Sequence, residues 1–177
     1  MDRPPARSGD VTALQAVAAP LDLDLLYREA RDDVFAYAAT LLRDRGAAED
    51  VTAQAFERAY RRRADYDERR GPPRAWLFGI ARNAALDELR RRRRTAALPV
   101  EAPAEAEDVA ERGARRAAVR VALARLTARE RELIALKFYA GFDNSEIAAV
   151  LGVSTTNAGT LVHRAMTKLR EAVDAPH

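Results

Sequence analysis

The stretch DNSEIAAVLGVSTTNAGTLVHRAMTKLR, residues 143–170, decides the fold of the C-terminal part of the chain. It predicts a short helix that ends near Leu151, a tight turn at Gly152 and a longer helix capped by Ser154. The small residue Ala148 lies where two such helices would cross. A short helix, a glycine turn and a long helix at this spacing are typical of a helix-turn-helix, whereas an ordinary helical hairpin does not need both small residues.

The second helix of this motif has two chemically different sides. At about 100° per residue, its apolar positions gather on one side and predict a buried face. The opposite side is predicted to face a DNA major groove, and we call it the recognition face: Thr155, Thr156, Thr160, His163, Arg164 and Lys168. Arg164 and Lys168 suit phosphates, and the threonines suit phosphates, thymine methyls or base edges. His163 fits a DNA contact and a simply solvated residue equally well.

Further helices are predicted on both sides of this motif, and the fold class is all-α because no strand-like alternation occurs. Apolar residues recur every three or four positions over 21–42, which predicts one helix, or two with a break near the middle. The pattern resumes over 47–62 and over 74–94, where the preceding prolines 72–73 suit a helix start. The sequence TARE at 127–130 is a capping box that opens another helix.

The composition divides the chain into two small helical domains joined by a flexible acidic linker. We expect a disordered tail over 1–20, a first domain over 21–94, the linker over 95–112 and a second domain over 113–177. The linker holds proline, alanine and acidic residues with almost nothing large to bury, which is typical of weakly ordered segments.

Several function classes are excluded by composition. The 177 residues contain no cysteine and two histidines, which excludes disulfide scaffolds, thiolate metal sites and a cysteine nucleophile. We therefore expect no metal, no cofactor and no enzymatic activity. No run approaches the ~18 apolar residues of a membrane span, and no secretory signal is recognisable. The expected location is the cytoplasm, without membrane insertion.

The net charge of +3 conceals a strongly basic segment, residues 61–94, with twelve arginines against five acids. Aromatic residues interleave with these arginines, and that combination suits single-stranded DNA, since arginine holds phosphates while rings stack on bases. The candidate contacts are Tyr66, Arg70, Arg74, Trp76, Asn83, Asp87 and Arg90. The arginine run at 90–94 is also compatible with a solvated helix end, and Trp76 with a core residue.

Two groups of motifs resemble the extracytoplasmic-function (ECF) sigma factors of bacterial RNA polymerase. WLFGIARNAALDELR at 76–90 is similar to the signature of region 2, and EDV at 49–51 with FERAY at 56–60 is similar to the helix before it. The motifs that resemble region 4 are LTARERE at 126–132, EIAAVLGVS at 146–154 and HRAMTKLR at 163–170. Both groups occur in the order found in the family.

The resemblance implies a transcription initiation factor that works with core RNA polymerase and promoter DNA. Region 2 would dock on the clamp helices of the largest subunit through Glu49, Asp50, Gln54 and Arg58. The basic segment would recognise the −10 element and hold it open as single strands, with Asn83 and the 64–73 loop as readers. Region 4 would bind the polymerase flap and read the −35 duplex, while the acidic linker would thread the polymerase channels. An anti-sigma factor would be a further partner.

The helix that carries the recognition face departs from the family pattern. Asn157 replaces a usual threonine, and Gly159 and Leu161 replace usual basic residues. We expect Leu161 to leave an apolar side chain on a flank, and we hypothesise an atypical or weak −35 sequence preference.

Two alternatives remain open from the residues alone. LTARERE and NSEI also resemble the DNA-binding module of LuxR-type regulators, although the helical, arginine-rich residues 21–94 do not suit the domain that such proteins usually carry upstream. A helical protein-interaction adaptor is the second alternative, and it would lack the salt-dependent DNA affinity that cationic contacts confer.

Overall fold

The chain is all-helical in a computed structural model that describes residues 21–95 and 110–174, as the sequence predicted. The described part contains no strand. Its helices are α1 (Leu23–Leu42), α2 (Arg45–Arg61), α3 (Pro73–Thr95), α4 (Ala110–Arg125), α5 (Ala128–Phe138), α6 (Asn144–Leu151) and α7 (Thr155–Asp174). The tail predicted over 1–20 lies outside the described residues.

The first three helices form the N-terminal half. Helix α1 is continuous, so the break that the sequence allowed near its middle does not occur. Its start is fixed by Asp22, whose carboxylate accepts a hydrogen bond of 2.9 Å from the Leu25 N–H. The loop before α3 contains two 3₁₀ turns, Arg63–Asp65 and Glu68–Arg70. Helix α3 begins at Pro73, where a missing N–H costs nothing.

Helices enter both ends of the predicted linker. Thr95 belongs to α3, and α4 begins at Ala110, so helices occupy the two ends of the linker predicted over 95–112. The reason is helix propensity, because arginine and alanine dominate on both sides and are strong helix formers. The remainder of the predicted linker, 96–109, lies outside the described residues.

The C-terminal half, α4 to α7, contains the predicted helix-turn-helix in α6 and α7. Asp143 caps α6 by accepting hydrogen bonds from Ser145 N (2.8 Å) and Glu146 N (2.9 Å). Gly152 then adopts the left-handed conformation (φ 67°, ψ 39°), which a side chain would strain. The Oγ of Ser154 accepts a bond of 3.2 Å from Asn157 N and starts α7.

The two halves pack against each other through α1 with α5 and α3 with α6. Phe78 of α3 is fully buried, with its ring centroid 5.4 Å from that of Tyr37 and 5.0 Å from that of Phe142. The sequence predicted two domains separated by a tether and gave no sign of this contact. Their buried residues instead form a continuous apolar core.

Candidate nucleic-acid interface

The recognition face of the helix-turn-helix is exposed to solvent. Ala158 and Ala165 of α7 are completely buried, and Val162 is nearly so, which leaves the other side of the helix turned outward. All six predicted residues are exposed: Thr155, Thr156, Thr160, His163, Arg164 and Lys168. The structure thus gathers these side chains on a single accessible face.

The two cations of the recognition face differ in their surroundings. Lys168 forms an ion pair with Glu130 of the α5 capping box. This ammonium and the Thr127 N–H lower the pKa of the Glu130 carboxyl. Arg164 has no hydrogen-bond or ion-pair partner among the described residues, so its full charge is available to a phosphate.

A further polar side chain, Asn144 at the start of α6, lies beside α7 and was missed in the sequence analysis. It is exposed, and a Cβ built on Gly159 would lie 3.1 Å from its Nδ2. The absent side chain of Gly159 therefore leaves space for an amide from the neighbouring helix. The signal in the sequence was the glycine itself, which stands in a helix where alanine would be more stable.

The position of the Leu161 side chain differs from the one that the sequence predicted. It is half-buried and packs against the apolar core rather than remaining as a free apolar side chain on a flank. That expectation is wrong because the core-facing arc of α7 is wide enough to include this position.

The rings of Tyr66 and Trp76, both in the basic segment, pack against each other at a tilt of 59° near the start of α3. Both are half-buried, with ring centroids 5.5 Å apart, and the Tyr66 hydroxyl donates a bond of 3.1 Å to the Gly71 carbonyl. Burial raises the pKa of this hydroxyl. Trp76 packs partly on the core, which confirms the core role that its sequence position allowed, and its DNA contact stays a prediction.

Further along α3, Asn83, Asp87 and Arg90 are exposed on the outer side of the helix. Asp87 accepts a bond of 2.9 Å from Arg90 and lies 3.6 Å from Arg58 of α2. Arg58, one of the four residues predicted for polymerase docking, therefore lies next to Asp87, which was predicted for the −10 element. Arg70 is exposed in the second 3₁₀ turn of the preceding loop.

Arg74 is a predicted −10 contact whose guanidinium bonds residues of both halves of the molecule. Its Nη2 donates to Asp33 (2.6 Å) and to the Ala140 carbonyl (3.2 Å), and its guanidinium carbon lies 5.6 Å from the Phe78 ring centroid. In this conformation Arg74 links the two halves, and its contact with DNA stays a prediction. The sequence gave no sign of this link because Ala140 is 66 residues away.

The residues predicted for polymerase docking follow the exposed side of α2. Glu49, Asp50 and Gln54 are exposed, and Asp50 and Gln54 line a shallow groove with Glu88 and Arg91 of α3. Hydrogen bonds from Arg91 and Arg92 hold the pKa of Glu88 below its usual range. The Glu88 carboxylate is therefore paired with two arginines of its own helix, while Asp50 and Gln54 are the exposed polar groups that α2 contributes to the groove.

Over residues 21–95 and 110–174, no group of histidine and carboxylate residues could hold a metal ion. No helix in those ranges is long and apolar enough to cross a membrane.

Comparison with protein families gives two matches in chain order. Residues 26–95 match Sigma-70 region 2, and residues 116–169 match Sigma-70, region 4. The first match is not expected of a LuxR-type regulator. Among curated proteins, the ECF RNA polymerase sigma factor SigK of Mycobacterium ulcerans (strain Agy99) is 30% identical over 99% of this chain and all of its own length. SigL of Mycobacterium tuberculosis is 31% identical over 82% of this chain and 85% of its own.

Solved structures with the same fold are also sigma factors. RpoE of Bartonella quintana, in complex with the anti-sigma factor NepR, superposes with a TM-score of 0.69 and 23% identity, covering 88% of this chain and 99% of its own. CnrH, in complex with the cytosolic domain of CnrY, gives a TM-score of 0.64 and 27% identity, covering 88% and 89%.

Proposed function

Because the chain belongs to the ECF RNA polymerase sigma factors, we propose that it binds core polymerase, reads −35 and −10 promoter elements and helps to melt the −10 region. The observation that carries this proposal is the separation of two exposed polar surfaces. The recognition face lies on α7, while Asn83, Asp87 and Arg90 lie on α3. One surface suits duplex DNA, and the other suits a strand whose bases have left the stack.

The proposed partners follow from these surfaces. Exposed residues of α2, Glu49, Asp50 and Gln54, would dock on the clamp helices of the polymerase, and the C-terminal half would bind its flap. The protein itself would supply no catalytic group, because bond formation belongs to the polymerase. We place its action in the cytoplasm, where polymerase and chromosomal DNA meet. An anti-sigma partner is supported by the complexes in which RpoE and CnrH were solved.

Run-off transcription tests the function directly. Core polymerase is incubated with a library of promoter fragments, with and without the full chain, and the transcripts are sequenced. Promoter-dependent transcripts that occur only in the presence of the chain are the expected result. A chain that neither binds core polymerase nor changes the transcripts would overturn the proposal, and salt-independent binding to protein partners alone would favour the adaptor alternative.

Arg164→Ala is expected to weaken −35 duplex binding more than Lys168→Ala does. Arg164 is unpaired in the described part of the chain, whereas Lys168 already neutralises Glu130. Loss of one phosphate contact reduces the slope of log affinity against log salt by about 1. Fluorescence anisotropy with a −35 duplex between about 50 and 200 mM salt measures the slope. Arg31→Ala removes the same charge from an exposed site on α1 and serves as the control. An unchanged slope in Arg164→Ala would contradict the phosphate contact.

Gly159→Ala is expected to stabilise α7 by about 1 kcal/mol and yet weaken −35 binding. The new methyl would lie 3.1 Å from the Asn144 amide and displace it from its position beside the recognition face. Thermal unfolding and duplex affinity are measured for Gly159→Ala, Asn144→Ala and the double variant. If displacement of Asn144 is the cause, Gly159→Ala has no further effect on affinity once Asn144 is alanine. Additive losses of affinity would show that Asn144 is not involved.

A further inference from the structure

A carboxylate of α5, Glu130, pairs with the lysine of the recognition face. Its Oε1 accepts a hydrogen bond from the Lys168 ammonium of α7, 38 residues later in the chain. Its Oε2 accepts a bond of 2.9 Å from the Thr127 N–H in the capping box that opens α5. Because both oxygens are engaged, the carboxylate cannot turn away from Lys168 without breaking the capping box. A negative charge is therefore fixed beside the recognition face.

This ion pair is stronger than one in open solvent. The Glu130 side chain is 17% exposed, and that of Lys168 is 56% exposed. Partial burial strengthens the attraction between opposite charges because less water screens them. The Lys168 ammonium and the Thr127 N–H lower the pKa of the Glu130 carboxyl, so it is ionised at neutral pH. Moving Lys168 onto a DNA phosphate would leave this carboxylate without its cation and close to a like charge, which costs free energy.

The pair determines how much charge the recognition face offers to DNA. Each phosphate that a protein neutralises contributes about −0.9 to the slope of log affinity against log salt. A lysine that already neutralises a carboxylate adds no net charge and contributes little to this slope. With Lys168 paired, the face presents the charge of Arg164 alone, although its sequence provides an arginine and a lysine.

We propose that Glu130 limits DNA binding by keeping Lys168 from the −35 phosphates. Glu130 acts through Lys168 and does not touch DNA itself, so it is a positioning residue. The proposal deepens the function proposed above and rests on it. Because phosphates are alike in every sequence, the missing contact lowers affinity for all duplexes by a similar factor and leaves base recognition to the other residues of the face.

Glu130→Gln tests the proposal with little change to the fold. Glutamine has the size of glutamate and can fill the same position of a capping box, but it carries no charge and cannot neutralise Lys168. A double variant, Glu130→Gln with Lys168→Ala, removes both charges of the pair. Glu146→Gln is the matched control, because Glu146 occupies the same position in the capping box of α6 and forms no ion pair within the described residues. It shows how much affinity is gained when a carboxylate is neutralised without the release of a cation.

Glu130→Gln is expected to make the salt slope steeper by about 0.9, the value for one additional phosphate contact. Fluorescence anisotropy of the full chain measures affinity between about 50 and 200 mM salt, with a −35 duplex and with a duplex of unrelated sequence. A gain of about tenfold at 50 mM that falls to about threefold at 200 mM corresponds to this slope, and it should be similar for both duplexes. The double variant should have the slope of the parent chain, because two uncharged side chains replace a neutral pair.

Nuclear magnetic resonance reports the environment of Lys168 without any substitution. The chain contains two lysines, Lys137 and Lys168, so selective isotope labelling of lysine gives two ε-methylene signals. Lys137 donates a bond of 3.0 Å to the Phe142 carbonyl and serves as the internal reference. When the −35 duplex is added, the Lys168 signal should shift much less in the parent chain than in Glu130→Gln.

An unchanged slope in folded Glu130→Gln would overturn the proposal. So would a shallower slope in the double variant, because Lys168 would then already contact a phosphate in the parent chain. Equal gains for Glu130→Gln and Glu146→Gln would also count against it, since loss of repulsion alone would explain them. If Glu130→Gln does not fold, the parent chain decides, and a large shift of its Lys168 signal on duplex binding would exclude the proposed role of Glu130. Failure of the sigma-factor function is distinguishable, because the parent chain would then neither bind core polymerase nor start promoter-dependent transcripts.

Discussion

Phe78→Ala is expected to lower the free energy of unfolding by about 3–5 kcal/mol, the range found when a buried phenylalanine is truncated. The Phe78 ring is fully buried and contacts Tyr37 and Phe142, one from each half of the molecule. Its removal leaves a cavity that neither neighbour can fill without leaving its own packing position. Chemical denaturation followed by circular dichroism measures the loss.

Phe138→Ala is the matched control for this experiment. The same ring is removed, but Phe138 is 58% exposed at the end of α5, so the change should be within about 0.5 kcal/mol. Equal losses for the two variants would contradict a core centred on Phe78. A loss below about 1 kcal/mol for Phe78→Ala would do the same, because it would mean that the two halves do not share this ring.

Local signals explain why the helix-turn-helix was predictable. Asp143 and Glu146 form a capping box, Gly152 takes the left-handed turn, and Ser154 caps the next helix, and each acts within four residues of its own position. Such interactions depend on the order of residues and hardly on the remainder of the fold. The same holds for the start of α3 at Pro73.

The contact between the halves was not predictable because its partners are distant in sequence. Glu132 belongs to the LTARERE motif and reads as a solvated helix charge, and Arg82 reads as one more arginine of a basic segment. Their pairing at 2.6 Å depends on how α3 and α5 approach each other. The bonds of Arg74 to Asp33 and Ala140 could not be predicted for the same reason, since they require tertiary structure.

The candidate site was predicted in part. Exposure of the recognition face followed from helical periodicity, which places Ala158, Val162 and Ala165 inward. The position of Asn144 beside Gly159 required the crossing geometry of α6 and α7, and the pairing of Lys168 with Glu130 required that of α5 and α7. The periodicity of a single helix therefore decides which of its side chains are exposed. Whether the charge of such a side chain is already neutralised depends on a second helix that packs beside it.

Asn83→Ala is expected to reduce open-complex formation by roughly 5- to 150-fold without weakening the binding of core polymerase. The Asn83 side chain is exposed on α3 and forms no side-chain bond within the described residues, so its loss should not disturb the fold. A carboxamide that reads a base edge contributes about 1–3 kcal/mol of discrimination, which corresponds to this range of rates. Fluorescence of a 2-aminopurine placed in the −10 element reports melting, and anisotropy of labelled protein reports polymerase binding.

A promoter with an unpaired −10 region separates the two roles that Asn83 could have. If the amide reads an extruded base, the defect of Asn83→Ala persists on the unpaired template, because recognition is lost even when melting is no longer required. Full rescue would instead assign Asn83 to strand separation alone. Gln54→Ala removes a similar amide from the exposed side of α2 and should show the opposite profile, with weaker polymerase binding and normal melting once bound. Equal melting by Asn83→Ala and the parent chain on the duplex promoter would exclude Asn83 from the −10 interface and leave Asp87 and Arg90, on the same helix, as the residues to examine.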